Sequence, residues 1–247
     1  MAESEKASYK MFDVPADHIT SQEKHDYDGL VFVRKVLGVL SIQFGLTATL
    51  CSLVNNIPEL ADFMYDLIYV FFGMLAYTVL VGAIVCCCID CAVKPPFNWI
   101  ITITFTIAEM WVFGTLCTLW EAKIVVAALS IATLICIALL IYALCADESY
   151  STWVAFFILL ACCIGVGTLY LTAWGTDHIT KILIAEIILV VYGVYIICDL
   201  RLMMKGRLHG LKYDEYLIGA LVVYMDIMAV LYIVAAYCIS KVSSALT

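Results

Sequence analysis

Long apolar runs alternate with short polar connections along most of this chain. Each run is long enough to cross the ~30 Å hydrocarbon core of a bilayer as an α-helix. A sheet or an open coil would leave backbone groups unpaired in lipid. We therefore predict an all-α integral membrane protein that forms a bundle of seven transmembrane helices. The seven runs lie approximately at Val36–Val54, Leu67–Ile89, Trp99–Leu119, Ile124–Leu144, Trp153–Trp174, Ile182–Leu200 and Leu217–Ile239.

Composition points the same way. Hydrophobic residues make up 65% of the 247 residues, and the mean hydropathy is +1.03. A soluble domain has roughly 45–50% apolar residues. The lipid bilayer is the expected surrounding, and no nucleic acid is expected as a partner.

The polar ends of the chain set the predicted domain division. Residues Met1–Gly29 carry seven acids against three lysines, and they lack the order of a cleavable signal peptide. We predict a disordered cytosolic segment at residues 1–30, a seven-helix transmembrane domain at 31–240 and a short tail at 241–247.

Most of the twelve cysteines lie within the runs, where cysteine behaves as a small apolar residue. Cys86, Cys87, Cys88 and Cys91 form a cluster at the end of the second run. Consecutive cysteines on one helix point in different directions, which disfavours a tetrahedral zinc site. Reversible acylation at the membrane edge fits the cluster better, and no cofactor is expected.

Four acids lie within the runs or at their edges: Glu109, Glu186, Asp199 and Asp226. Such a carboxylate costs at least ~2.5–3.5 kcal/mol in a bilayer unless it is neutralised, paired or bound to a cation. Glu186 and Asp199 are separated by about 20 Å of helix rise and cannot share a site. Asp199 and Asp226 can share one, because the connection between the last two runs forms a hairpin.

The helical neighbours of Asp199 suit a buried carboxyl pair. Tyr192 and Tyr195 precede Asp199 on the same face and offer hydroxyl donors. Two close carboxylates in a low dielectric share a proton, and ionised carboxylates are natural Ca²⁺ ligands. The pair is then a pH-sensitive latch or, alternatively, a structural tie between helices. Glu109 and Glu186 are either pathway residues or structural acids.

Four stretches resemble a known family. They are FVRKVLGVLSIQ (Phe32–Gln43), PPFNWIITITFTIAE (Pro95–Glu109), YIICDLRLMMKG (Tyr195–Gly206) and YDEYLIGALVVYMDIMAVL (Tyr213–Leu231). They look like the signature stretches of the transmembrane BAX inhibitor motif family, in its lifeguard branch. The similarity runs in order through the chain after about Leu30, and the family's aspartyl pair corresponds to Asp199 and Asp226.

The resemblance implies a calcium leak or channel that is gated by the aspartyl pair and suppresses cell death. The implied location is the endoplasmic reticulum or Golgi, with the plasma membrane as the alternative. Asp199 and Asp226 are the candidate pH sensors and transient Ca²⁺ ligands. Membrane proteins that regulate apoptosis are candidate partners. The candidate supporting residues are Tyr192, Tyr195, Glu109, Glu186 and Arg34.

Two alternatives to the leak remain open. Neither the leak nor the first alternative is an enzyme, and we do not expect this protein to be one. The first is a membrane scaffold that modulates cell-death or receptor partners without conducting ions. The second is an intramembrane aspartyl protease, which also needs two aspartates in adjacent spans. Asp226 follows Tyr224–Met225 and lacks the Gly-x-Gly context of such proteases, so the protease is the less favoured of the two.

The distribution of lysine and arginine predicts the orientation. Ten of these residues lie before the first run or in alternate connections, against three on the other side, which favours a cytosolic N-terminus. A tag placed at Met1 should therefore be digested by protease added to sealed microsomes, whereas a tag placed after Thr247 should be protected. Digestion of both tags would mean that the seventh run does not cross the membrane.

Overall fold

The computed structural model describes residues 21–119, 122–146, 151–174, 179–204 and 215–229, and these residues are almost entirely helical. Helices are favoured in apolar runs because every interior backbone group is paired within its own segment. In chain order the helices are α1 (Ser21–Asn56), α2 (Pro58–Asp66), α3 (Ile68–Cys87), α4 (Ile89–Ala92), α5 (Phe97–Leu119), α6 (Ala122–Cys145), α7 (Thr152–Trp174), α8 (Ile179–Met204) and α9 (Tyr216–Ala229).

Within the described residues, four helical segments are long and apolar enough to cross a membrane. They are Asp28–Asn56, Ile68–Cys87, Phe97–Leu119 and Val125–Cys145. Two shorter apolar helical segments are Thr152–Val166 and Tyr216–Ala229. The helical membrane architecture is confirmed in this coarse form, and the number of seven spans stays a prediction. The second half of the seventh run, after Ala229, lies outside the described residues.

The first helix starts earlier than the hydropathy pattern predicts. It begins at Ser21, so residues 21–30 are helical, although we predicted that they belong to a disordered segment. Residues 1–20 and the tail at 241–247 lie outside the described residues, and the division into domains stays a prediction.

Helix α9 lies in the interior of the bundle. All residues from Leu217 to Tyr224 are buried, so this helix is covered on every side, as expected for a helix that is apolar all round. Helix α1 packs mainly against α6 and α5, while α7 packs against α8. The two helices that carry the aspartates therefore differ in exposure. Helix α8, from the sixth run, has an outer face with exposed Ile187 and Val191, whereas α9, from the seventh run, is enclosed.

Hydroxyl groups within the apolar helices bond to carbonyls of their own helix. The Thr47 hydroxyl donates to the Gln43 carbonyl at 2.9 Å, and the Thr106 hydroxyl donates to the Thr102 carbonyl at 2.7 Å. This bond to a carbonyl one turn earlier satisfies a hydroxyl where no water is available. It also uses the only proton that each hydroxyl can donate.

Two glycines lie at close contacts between helices. A Cβ atom at Gly193 on α8 would overlap the side chain of Leu159 on α7. A Cβ atom at Gly219 on α9 would lie 3.0 Å from the Phe32 ring and 3.7 Å from the Met203 sulfur. Glycine at these positions therefore permits the contact between α7 and α8 and the seating of α9 beside α1 and α8.

The contact between Gly193 and Leu159 can be tested by a double-mutant cycle. We expect Gly193→Ala to lower the free energy of unfolding by about 1–3 kcal/mol, because the added methyl group overpacks the interface. In a Leu159→Ala background the same change should cost much less, because the two sites are coupled. Gly165→Ala on α7 is the matched control, since a Cβ atom there meets nothing within 4 Å. Thermal unfolding in detergent measures all four variants; equal losses in both backgrounds would contradict the proposed contact.

Candidate functional site

The structure places both predicted aspartates on adjacent helices. Asp199 lies on α8 and is only 6% exposed, and its Oδ2 atom is buried without a hydrogen-bond partner among the described residues. Asp226 lies half-buried on α9. The two carboxyl groups are close enough for the charge of Asp226 to act on Asp199. The predicted hairpin connection is Lys205–Tyr216, and its residues 205–214 lie outside the described residues.

The hydroxyls of Tyr192 and Tyr195, which we predicted as donors for the carboxyl pair, both reach across to α9. The Tyr192 hydroxyl donates to the carbonyl of Ile227 on α9 at 2.8 Å, and the Tyr195 hydroxyl donates to Asp226 Oδ2 at 3.4 Å. Side chains on a helix point toward its N-terminus. A tyrosine that precedes Asp199 therefore points away from it, and both hydroxyls cross to the next helix.

These two bonds differ in strength. The Tyr192 side chain is buried and its bond has the ordinary length of a strong hydroxyl-to-carbonyl hydrogen bond. Tyr195 is 46% exposed, and its bond is long for a hydroxyl donor. The buried Tyr192 bond is thus the main polar tie between α8 and α9 among the described residues, and Tyr195 is an adjustable contact to Asp226.

Arg34 lies away from the aspartyl site. Its Nε atom donates to the carbonyl of Ala143 and one of its terminal nitrogens donates to the carbonyl of Ala146, each at 2.8 Å. A guanidinium group at the C-terminus of a helix pairs with unsatisfied carbonyls and with the negative end of the helix dipole. Its position fits a role in holding α1 against the end of α6.

Glu109 lies in a second polar region, which the sequence did not predict as a unit. It is 1% exposed and lies close enough to Tyr224 of α9 for the two groups to interact electrostatically. The Tyr224 hydroxyl pairs with Thr47 Oγ1 at 2.9 Å, and Gln43 Nε2 donates to Thr106 Oγ1 at 2.9 Å. We refer to Gln43, Thr47, Thr106, Glu109 and Tyr224 as the polar core cluster.

The sequence contained a signal for this cluster. Gln43 and Thr47 are four residues apart on α1, and Thr102 and Thr106 are four residues apart on α5, so each pair lies on one face of its helix. Two polar stripes in apolar helices favour a contact between those helices. Apolar rings cover the cluster: the centroids of Phe44 and Phe105 lie 4.8 Å and 6.1 Å from the centroid of Tyr224.

Other candidate residues fall outside both regions. Glu186 lies on α8, and its side chain is outside the described part of the chain. Cys86, Cys87, Cys88 and Cys91 are exposed at the end of α3 and in α4. Among the described residues, no group of three or more histidine, cysteine, aspartate or glutamate side chains could hold a metal ion.

Chemically, the aspartyl site combines one buried carboxyl oxygen that has no donor among the described residues with a second carboxyl group that remains partly accessible. Such a site can bind a proton or, through a few hard oxygen ligands, bind a cation transiently. Together with the apolar helices around it, the site defines a multi-pass helical membrane protein with acidic groups in its interior.

The comparisons with known proteins identify the family. Residues 30–240 match the family model described as inhibitor of apoptosis-promoting Bax1, and the chain belongs to this BAX inhibitor motif family. The relatives it resembles include proteins named lifeguard. Protein lifeguard 3 of Homo sapiens is 22% identical over 80% of this chain and 64% of its own length. Protein lifeguard 3 of Mus musculus is 20% identical over 80% of this chain and 65% of its own length.

A plant relative is covered more completely. Protein LIFEGUARD 1 of Arabidopsis thaliana is 27% identical over 80% of this chain and 83% of its own length. By comparison, the chain spans just under two thirds of the length of each of the two mammalian relatives. No solved structure matches the chain.

The tie between α8 and α9 generates a prediction for Tyr192. Tyr192→Phe should lower the free energy of unfolding by about 1 kcal/mol, because it removes a buried hydrogen bond and leaves the ring in place. Tyr195→Phe should cost clearly less, because its bond is long and exposed. Unfolding in detergent by denaturant measures both; a larger loss for Tyr195→Phe would show that the exposed bond is the stronger tie.

Proposed function

We propose that this protein is a pH-sensitive calcium leak of an intracellular membrane, gated by Asp199 and Asp226. The observation that carries the proposal is the buried Oδ2 atom of Asp199, which has no hydrogen-bond donor among the described residues and lies within the field of Asp226. Packing alone does not explain such a group in an apolar helical bundle, because an unpaired buried acceptor costs about 1–3 kcal/mol.

A shared proton explains how this pair can act as a latch. Two carboxylates in a low-dielectric site cannot both ionise cheaply, so one proton is held between them and titrates as a property of the pair. While the proton is held, the pair adds to the Tyr192 tie between α8 and α9. When the proton leaves, like-charge repulsion opposes that tie and favours separation of the two helices.

The same oxygens supply a ligand set for calcium in transit. Carboxylate oxygens bind Ca²⁺ at about 2.3–2.6 Å, and a pathway needs binding that is favourable enough to admit the ion and weak enough to release it. Two carboxyl groups and the Tyr195 hydroxyl fit transient binding better than a resident metal. The protein is then a non-enzymatic ion pathway with no cofactor.

Family membership supports the cellular part of the proposal. The matched family is described by inhibition of an apoptosis-promoting protein, and we propose suppression of cell death through calcium homeostasis as the consequence of the leak. We further propose the endoplasmic reticulum or Golgi as its location, a cytosolic N-terminus and apoptosis-regulating membrane proteins as partners.

A scaffold that conducts no ions is the second candidate, and the outer face of α8 favours it. The outer face of α8 carries three exposed side chains at intervals of four residues, Ile187, Val191 and Tyr195. They form an apolar stripe that could contact another membrane helix as well as lipid. In this case the aspartates are structural, and their substitution would change the abundance of the protein.

Substitution of either aspartate separates these candidates. Asp199→Asn or Asp226→Asn leaves one carboxyl group beside an amide and removes the like-charge coupling. In proteoliposomes, each variant should lose the pH dependence of Ca²⁺ efflux that the wild-type protein shows between mildly acidic and neutral pH. Fluorescence of a trapped calcium indicator measures the efflux.

Glu186→Gln is the matched control, because it removes a carboxyl group about 20 Å away from Asp199 by helix rise. This variant should keep the wild-type pH dependence. Efflux that responds to pH equally in the wild-type protein and in both folded aspartate variants would reduce the pair to a structural tie. Absence of any efflux from the wild-type protein would favour the scaffold.

A further inference from the structure

The polar core cluster lies on the face of α9 opposite to the aspartyl site. Tyr224 and Asp226 are two residues apart in the helix. Their side chains therefore point about 200° away from each other around the helix axis, and their positions differ by only about 3 Å along it. Asp226 is contacted from α8 by Tyr195, whereas Tyr224 is contacted from α1 by Thr47. The enclosed helix thus has a separate polar site on each side, at nearly the same depth.

The donors of this cluster can be assigned one by one. The Thr47 hydroxyl uses its proton on the Gln43 carbonyl, so Tyr224 must be the donor in its bond to Thr47. The Thr106 hydroxyl uses its proton on the Thr102 carbonyl, so Thr106 accepts from Gln43 Nε2. No hydroxyl of these three residues has a proton left for another acceptor.

One acceptor in the cluster lacks a donor. Gln43 is 3% exposed, and its Oε1 atom has no hydrogen-bond partner among the described residues. Its Nε2 atom is fixed by Thr106, which also fixes the direction of the amide oxygen. A buried acceptor of this kind costs about 1–3 kcal/mol unless a donor reaches it.

Glu109 is the candidate donor that we consider for this oxygen. It follows Thr106 by three residues on α5 and therefore lies on the same face, one turn along. Its side chain is almost fully buried, and an ionised carboxylate in an apolar bundle is costly. A protonated carboxyl group is neutral and has one hydroxyl donor. One proton on Glu109 would remove the cost of a buried charge and also satisfy Gln43.

We propose that Glu109 is protonated and that its hydroxyl donates a hydrogen bond to Gln43 Oε1. This acid–amide pair is then a second proton-binding site, separate from Asp199 and Asp226. A calcium ion fits the cluster poorly, because Ca²⁺ takes six to eight oxygen ligands and a single carboxylate leaves one positive charge uncompensated. The inference does not rest on the calcium leak, and it holds equally for a scaffold.

The groups around the pair determine when its proton can exchange. The Tyr224 hydroxyl faces Glu109 from α9 and is itself bonded to Thr47. Cys51 on α1 interacts with Tyr224 and with Cys117 on α5, so these thiols are the other titratable groups at this face within the described residues. The rings that cover Tyr224 exclude water, and displacement of α9 would be needed to expose the proton.

Infrared difference spectroscopy tests the proposal without any measurement of ion flux. The full-length protein in nanodiscs should show carbonyl stretching absorption of protonated carboxylic acids at neutral pH. Glu109→Gln should remove the component that belongs to Glu109 and leave any component of the Asp199–Asp226 pair. Asp226→Asn is the matched control on the other face of α9 and should leave the Glu109 band in place. Gln43→Met should keep the band and move it to higher frequency, because the hydrogen bond to Oε1 is lost.

Thermal unfolding provides a second readout. Glu109→Gln should keep the wild-type unfolding midpoint, because its amide N–H can still donate to Gln43, whereas the similarly sized Glu109→Met should lower it. A band of ionised carboxylate assigned to Glu109 at neutral pH would overturn the proposal, and so would a Gln43→Met spectrum with an unshifted band. Because the Gln43→Met measurement keeps Glu109 intact, it remains decisive if the Glu109 variants do not fold.

Discussion

Every polar group inside this bundle must find a partner without the help of water, and the enclosed helix α9 makes that constraint severe. Neighbouring helices cover α9, so its polar atoms can pair only with side chains that those helices present. Tyr192 reaches the Ile227 carbonyl from α8, and Tyr224 reaches Thr47 on α1. The positions of α1 and α8 around α9 are therefore fixed by hydrogen bonds as well as by packing at Gly219.

The sequence was sufficient to predict the helices but not all of their limits. Apolar runs predict helices because lipid leaves no other way to pair the backbone, and each described run is helical. The start of α1 at Ser21 was missed because its first turns are polar, and hydropathy carries no information about a helix that continues into water. The burial of α9 was also not predicted, since its composition resembles that of the lipid-exposed runs.

The candidate site was predictable in its acids and not in its contacts. Asp199 and Asp226 stand out because charge is rare in such runs, and the structure places them within electrostatic range. The destinations of the tyrosine hydroxyls depend on the direction of side chains along a helix, which a pattern of shared faces does not include. Gln43 and Thr47 were overlooked because neutral polar residues are common in membrane helices. Only the register between α1, α5 and α9 shows that Gln43 meets Thr106 and that Thr47 meets Tyr224.

The opposed positions of Tyr224 and Asp226 restrict how this helix can change in evolution. Each residue inserted or deleted between them would rotate everything beyond it by about 100°, so that one of the two side chains would leave its polar surroundings for an apolar wall. Exchanges of one apolar residue for another elsewhere in α9 leave this spacing intact. An insertion or deletion between Tyr224 and Asp226 is therefore expected to disrupt one of the two polar sites, whereas a change of length in the connections that flank α9 leaves their spacing intact.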